Sequence, residues 1–554
     1  MSSELPPKVH QDIPSKSNPG KTGDPLKMLR YKRPVPQKES ILKGNPARKQ
    51  SVYVDSEIAP LERLMIHSPD GGIGIIGPGQ ATELLFEDIV DLPIMRAEYD
   101  VYVKLLLHFL DPESVPEDQS NRDAFIPGSG RREAQASYLE STEVLDLQQL
   151  LFRILESEEL SAERSALIED ICRLEGCPPE VAEQLRTLEA GDLSKTLITG
   201  ALPGCQTAGA IRRSPYYLFA PVPNLIYTRD LGLVVKDHVV LGTSAKKARK
   251  REGLLARFVL RHSIFKEHPE RMILLDEDRP VASSEYARAA NTLTIEGGDL
   301  MMIHPRHLLI GCSERTSDQA VCRFVEEIFS RHEALGIDKV SAVHIPKKRA
   351  SMHIDTVFTM VRRDVWVAYM PMLDGAPSMA KAWPGVQLGQ EDPVRISQYH
   401  VKHKPAGWVP LSQSSEWQSL GEPASFRQPA SLRDLMLQVS QVDFGANQVR
   451  IIPCGGGRYP WDEREQWTDG ANLLALREGV VVGYERNRET ARAFERAGFQ
   501  VRTAESLIRE FESGTLKAEK VRNTLITLRG AELVRARGGT HCMSFPLRRR
   551  AWEL

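Results

Sequence analysis

Leu293-Thr294-Ile295-Glu296-Gly297-Gly298-Asp299, then Leu308-Leu309-Ile310-Gly311-Cys312, then a helical pattern over 317 to 335: this succession decides the fold. The apolar, partly β-branched runs read as strands, and the glycine pair after Glu296 reads as a bend. Val321, Phe324, Val325 and Ile328 recur at three-to-four-residue spacing, which puts them on one side of a helix. Working outward, strands are expected at 231 to 242, 272 to 276, 292 to 303, 308 to 312, 339 to 345, 355 to 370, 449 to 453 and 473 to 484. An earlier one, Leu64-Met65-Ile66-His67, stops at Ser68-Pro69. A helix near 93 to 110 would place Ile94, Ala97, Val101 and Leu105 on a packed face. The chain is α/β. Strand-rich stretches ending in a helix recur about five times, which favours a cyclic repeat architecture over one doubly wound sheet.

Three stretches depart from this rhythm. Between 111 and 200 the strand signal disappears and Leu, Glu and Arg dominate over 142 to 157, 161 to 175 and 179 to 190, as in an inserted helical subdomain. From 372 to 448, Pro, Gly, Ser and Gln accompany Trp383, Trp408 and Trp417 with weak periodicity, so this reads as an irregular insertion, either a lid or a partly ordered segment. Residues 1 to 52, rich in Pro, Lys, Ser and Gly, read as a disordered basic tail that leaves 53 to 554 as the folded part.

Composition narrows the function classes. The 554 residues carry 72 basic and 74 acidic side chains, a net charge of −2, so no global field recruits nucleic acid or an acidic membrane. No run approaches the roughly 18 apolar residues that cross a bilayer, and the amino terminus lacks the apolar core of a secretory signal. Seven cysteines without a paired or Cys-x-x-Cys spacing suit a reducing compartment, and the cytoplasm is the expected location.

Cys542 lies in Arg535-Ala536-Arg537-Gly538-Gly539-Thr540-His541-Cys542-Met543-Ser544. The glycine pair would let backbone approach a ligand closely, and Arg535 and Arg537 would favour a thiolate. A free cysteine is by itself more often a small buried hydrophobe, but this setting is polar. Thr228-Arg229-Asp230, Glu296-Gly297-Gly298-Asp299 and His353-Ile354-Asp355 supply acidic groups that suit a planar cation, guanidinium above all. His353 is expected just before a strand with Asp355 on the same face. The plain alternatives are a satisfied strand-start histidine, a turn acid at Glu296 and a surface ion pair at Asp230. Cys172, Cys177, Cys205, Cys312, Cys322 and Cys454 are given no chemical role.

Together these residues resemble the guanidine-modifying superfamily, and most closely the arginine deiminase family. Asn224-Leu225-Ile226-Tyr227-Thr228-Arg229-Asp230 is similar to its Asn-x-x-Phe-x-x-Asp signature. The Glu296 to Asp299 run, the strand that leads to Arg315-Thr316, Met352 to Met360, and Glu465-Gln466-Trp467-Thr468-Asp469-Gly470-Ala471-Asn472 carry the rest of the likeness, from about Leu61 to Leu547. The resemblance implies a five-bladed α/β propeller with a helical insertion and hydrolysis of L-arginine to L-citrulline and ammonia without cofactor or metal. It implies that Cys542 attacks the guanidinium carbon, Asp230 and Asp355 hold its nitrogens, His353 acts as acid then base, and Glu296 orients His353. Arg249, Arg315 and Arg537 would grip the substrate carboxylate, with the α-amino group near Asn224 and Tyr227. Tyr227 stands where the family has phenylalanine, and Thr540 where it has a third glycine. The competing readings are an amidinotransferase using the same Cys, His and Asp residues and a non-catalytic arginine-binding regulator. Expected partners are L-arginine and further copies of the chain in a homo-oligomer, with no nucleic acid and no membrane.

Overall fold

A computed structural model describes residues 52–115, 141–203, 217–275, 293–373, 393–401 and 428–553. The expected tail (except Val52), Cys205 and the three tryptophans Trp383, Trp408 and Trp417 lie outside the described residues. Described strands form five mixed sheets of three or four strands each.

The sheets share one plan: an antiparallel pair, a helix, then a strand parallel to the second of the pair. Gly232–Val235 and His238–Leu241 pair antiparallel, helix Lys250–His262 follows, and Met272–Leu274 joins parallel. Leu300–His304 and His307–Cys312 pair, helix Asp318–Ser330 follows, Lys339–His344 joins parallel, and Arg395–His400 extends the edge antiparallel. Phe358–Arg362 and Val365–Ala368 are completed by helix Leu432–Gln438 and Arg450–Pro453. Leu474–Arg477 and Val480–Tyr484 are completed by helix Arg488–Arg496 and Thr524–Leu528, with Gln500–Thr503 added at the edge. The last sheet is built from both ends of the sequence. Phe545–Arg549 pairs antiparallel with Leu61–Ile66, and helix Leu92–Leu110 leads to Val144–Asp146, parallel to Leu61–Ile66.

Helix placement follows sequence signals. Ser317 accepts a hydrogen bond from the Ala320 N–H and caps Asp318–Ser330, a contribution of about 1 kcal/mol. The expected face of that helix is right: Val321, Phe324, Val325 and Ile328 are all buried. The expected face of Leu92–Leu110 is right only in part: Leu105 is buried and Val101 packs against the core, but Ala97 is exposed. Ile94 is 49% exposed, while Met95, Tyr99, Tyr102, Val103 and Leu106 are buried. Glu98 is buried among them because it accepts hydrogen bonds from three consecutive N–H groups, Ala531, Glu532 and Leu533.

Other expectations need correction. Among the described residues, the stretch from 111 to 200 holds four α-helices, Leu147–Glu156, Ser161–Glu175, Pro179–Arg186 and Ala190–Thr199, but also the short strand Val144–Asp146. Between 372 and 448 the described residues are not irregular, since they include strand Arg395–His400 and helix Leu432–Gln438. Leu293–Ile295 does not form a full strand; only Ile295 pairs, with Thr243 across an isolated bridge. Among the described residues no helix is long and apolar enough to cross a membrane.

Candidate active site

The first strand of each sheet's antiparallel pair is preceded by a tight turn, and the chemically interesting residues sit in those turns. Asp230 precedes Gly232–Val235, Glu296 and Asp299 precede Leu300–His304, and His353 and Asp355 precede Phe358–Arg362. Asp469 and Asn472 precede Leu474–Arg477, and Cys542 precedes Phe545–Arg549. His353 therefore does not lead directly into a strand as expected; it caps the 3-10 turn Ile354–Thr356.

Hydrogen bonds link the five turns in a closed circuit. Arg229 N–H donates to the Cys542 carbonyl at 3.0 Å. Cys542 N–H donates to Asn472 Oδ1 at 3.2 Å, and Asn472 Nδ2 to the Asp355 carbonyl at 3.2 Å. Ile354 N–H donates to Asp299 Oδ1 at 2.9 Å, and Arg229 Nε to the Gly297 carbonyl at 3.3 Å. Residues as far apart as Arg229 and Cys542 are thus fixed relative to one another by hydrogen bonds, each of which has a main-chain group on at least one side.

This crowding explains the glycines. A Cβ on Gly298 would stand 2.6 Å from His353 Nδ1 and 2.9 Å from Asp230 Oδ1. A Cβ on Gly538 would stand 2.1 Å from the Tyr227 ring, and one on Gly539 2.4 Å from Asn472 Oδ1. The pair before Cys542 therefore admits neighbouring protein groups. Thr540 takes up the remaining position by donating to the Val482 carbonyl at 2.6 Å and accepting from Leu474 N–H at 3.2 Å. The Tyr227 hydroxyl donates to the Leu533 carbonyl at 3.4 Å.

Around the thiol the charges are mostly negative. Cys542 is 4% exposed, and its Sγ lies 3.7 Å from Asp355 Oδ2. That oxygen is also 2.8 Å from His541 Nδ1, whose Nε2 faces Glu57 at 3.4 Å. Burial, followed by the charges of Asp355, Asp230 and Asp469, pushes the thiol well above its ordinary value. The arginines do not generate a resting thiolate. Arg535 is spent on Glu532 and Asp88, and Arg537 stacks 3.7 Å above the Trp467 ring.

His353 is charged for a definable reason. Its Nε2 is 2.9 Å from Glu296 Oε2 and its Nδ1 3.6 Å from Asp230 Oδ1. Burial alone would lower its pKa, but Asp230, Glu296 and Asp299 raise it to about 9. Burial opposes ionisation of Glu296, yet the bond from His353 and the charges of Arg249, His353 and Arg315 hold it at about 2. Asp299 receives Ser313 Oγ at 2.6 Å as well as Ile354 N–H, and so ties the Arg315 turn to the His353 turn.

The three predicted carboxylate-gripping arginines are not equivalent. Arg249 is turned inward: it pairs with Asp230 Oδ2, donates through Nε to Glu252 at 2.8 Å, and lies 3.7 Å from Glu296. Asp230, Glu296 and His353 offer ligand atoms within 4.8 Å of one another, and Arg249 supplies the positive charge to that group. Arg315 is buried 3.8 Å from Glu296. Arg537 is held by a left-handed backbone, φ 64°, and donates Nη2 to the Ala350 carbonyl at 3.2 Å, while its Nε and Nη1 have no partner. Asn224 donates Nδ2 to the Leu84 carbonyl, with its own carbonyl accepting from Arg249.

Unsatisfied acceptors cluster around the thiol. Asp230 Oδ1 and Asp355 Oδ1 are buried without a hydrogen-bond partner, as are both oxygens of Asp469. Buried oxygens of this kind are suited to accept hydrogen bonds from a cationic ligand. Asp469 is 1% exposed at φ 61°, and burial raises its pKa to about 7 against the opposing charge of Arg537. Its functional promise was missed in the sequence, although its position before the first strand of a pair matches that of the other turn residues.

A sequence-family profile for arginine deiminase matches residues 140–549. The chain belongs to the arginine deiminase family. The arginine deiminase of Bacillus cereus strain ATCC 10987 is 27% identical over 91% of this chain and 99% of its own length. That of Staphylococcus aureus strain MRSA252 is 27% identical over 90% of this chain and 98% of its own length. Among solved structures, an amidinotransferase from Microseira wollei aligns with 90% of this chain and 98% of its own, at 12% identity and a TM-score of 0.38.

Proposed function

We propose that the protein hydrolyses free L-arginine to L-citrulline and ammonia through a covalent intermediate on Cys542. Family membership supports this activity over amidino transfer. The observation that carries the site assignment is the pair of orphaned oxygens, Asp230 Oδ1 and Asp355 Oδ1, near a buried thiol. A guanidinium donates paired N–H groups in one plane and would satisfy both. The five sheets, with their shared plan and closed circuit of turns, support the arrangement of a five-bladed propeller with the site at its centre.

The chemistry follows from the charges. Bound guanidinium neutralises the carboxylates that hold the Cys542 proton in place, so as substrate arrives the thiol gives its proton to solvent, where it is later taken up by the released ammonia. The thiolate adds to the guanidinium carbon. His353, already protonated, gives its proton to one terminal nitrogen, the C–N bond breaks, and ammonia leaves an S-alkylthiouronium on Cys542. Neutral His353 then takes a proton from water, whose oxygen adds to the same carbon. As the C–S bond breaks, the proton of the added hydroxyl passes to the departing sulfur, which restores the thiol and leaves the ureido group of citrulline, and Glu296 keeps His353 oriented throughout. At the amino-acid end, Arg537 and Arg315 face the substrate carboxylate and Asp469 the α-ammonium. Arg249 keeps Asp230 Oδ2 occupied and leaves Oδ1 for the substrate.

The test is to mix the protein with arginine and measure ammonia and citrulline, with and without glycine. Equal ammonia and citrulline, unaffected by glycine, is the expected result; ornithine formed in proportion to added glycine would select amidino transfer.

A further inference from the structure

Cys312, Asp318 and His344 form a second cluster on three elements. Cys312 ends strand His307–Cys312, and His344 ends the adjacent strand Lys339–His344 as its direct partner in register. Asp318 opens helix Asp318–Ser330. A sulfur, a carboxylate oxygen and an imidazole nitrogen from these three lie within 4.8 Å of one another. His344 Nδ1 is 3.3 Å from Asp318 Oδ1. Two ligands held tetrahedrally at about 2.05 Å from a zinc ion stand roughly 3.3 Å apart, so one edge of such a polyhedron is already built. The sulfur is buried, the imidazole half-buried and the carboxylate exposed, which gives an ion a path from solvent to its softest ligand.

We propose that Cys312, Asp318 and His344 bind one divalent transition-metal ion of the zinc class, with water completing the tetrahedron. A thiolate and an imidazole with only one carboxylate favour zinc over calcium or magnesium, which require mostly oxygen. On binding, the Cys312 S–H bond breaks, a sulfur–metal bond forms and the proton passes to solvent, so affinity rises with pH. Lys347 Nζ lies 3.1 Å from Asp318 Oδ2, so Oδ1, now facing His344 Nδ1, is the oxygen that would turn to the ion, and Lys347 adds a repelling charge. Cys312 and Asp318 also bracket the turn Ser313 to Ser317, which carries Arg315 into the candidate active site. An ion held by both would tie the two ends of that turn together.

The full chain carrying Cys542→Ser, which removes the active-site thiol, is titrated with cobalt(II) and then zinc(II). The expected result is one cobalt per chain with a sulfur-to-cobalt charge-transfer band that zinc abolishes. Cys312→Ser should remove the band. Asp318→Asn and His344→Asn, both outside the core, should each weaken binding by more than about 10-fold, and Lys347→Met should tighten it. No band in the Cys542→Ser protein, a band that survives Cys312→Ser, or unchanged affinity in both surface variants would each overturn the proposal. If Cys312→Ser does not fold, the two surface variants decide.

Discussion

Replacing Glu296 with glutamine keeps the side chain's shape while removing the charge nearest His353 Nε2. The nearby carboxylates raise His353 from 6.5 to about 9, against burial. That is about 3 kcal/mol in favour of the imidazolium, at 1.36 kcal/mol per pKa unit. Asp230 is the largest of the raising influences, and Glu296 acts both by hydrogen bond and by charge. Losing the charge-assisted hydrogen bond to Glu296, worth about 1.5 kcal/mol, lowers the His353 pKa in Glu296→Gln by roughly one unit. The alkaline limb of kcat/KM reports the acid of the free enzyme and is lost as pH climbs through that value. The variant should therefore show an extra loss of about 5-fold at pH 9, relative to wild type and normalised at pH 7. The substrate's own α-ammonium titrates identically in both proteins, so only the difference between the two profiles matters. An alkaline limb that does not move in Glu296→Gln would refute the claim that Glu296 keeps His353 charged.

Three further outcomes follow from the same geometry. Asp469→Asn should raise the KM for arginine by roughly 10- to 100-fold, the worth of a charged hydrogen bond, with a smaller change in kcat. Wild-type KM should itself rise as pH falls through about 7, where Asp469 gains its proton, and should stay flat in the variant; an unchanged KM would remove Asp469 from the site. Gly298→Ala places a methyl 2.6 Å from His353 Nδ1 and should cost about 100-fold in kcat by displacing the imidazole, which steady-state kinetics would show. Because burial and three carboxylates hold the Cys542 proton, iodoacetamide should alkylate Cys542 slowly at pH 7 and faster as pH rises beyond 9. Rapid, pH-independent alkylation at neutral pH would reveal a resting thiolate.

The parts of the fold that were legible in the sequence are those where side chains alternate or repeat without help from distant partners. The helix Asp318–Ser330 and the strands at 232 to 241 and 307 to 312 are of this kind. Val144–Asp146 was hidden because three residues carry no periodicity, and only pairing with Leu64–Ile66 makes them a strand. The face of Leu92–Leu110 was read only in part because a buried charged residue, Glu98, breaks the apolar count, and its reason for burial lies more than 430 positions away at Ala531 to Leu533.

For the site, residue types and motifs identified Cys542, His353, Glu296, Asp230 and Asp355, and the structure brings all five into one charged cluster. Electrostatics were less legible. Arg535 and Arg537 are two of the nearest charges in sequence to Cys542, yet in space Arg535 is taken up by Glu532 and Asp88, and Arg537 lies over the Trp467 ring. The family resemblance implied a ligand-gripping role for Arg249, and only the fold shows it engaged by Asp230 and Glu252.

The most direct test of the account uses arginine labelled at its guanidino carbon and quenched in acid during turnover, followed by peptide mapping. The account predicts label held covalently on the peptide containing Cys542, and more of it in His353→Asn, where hydrolysis lacks its base. Label on a different cysteine, or turnover that persists in Cys542→Ser at the wild-type rate, would contradict it.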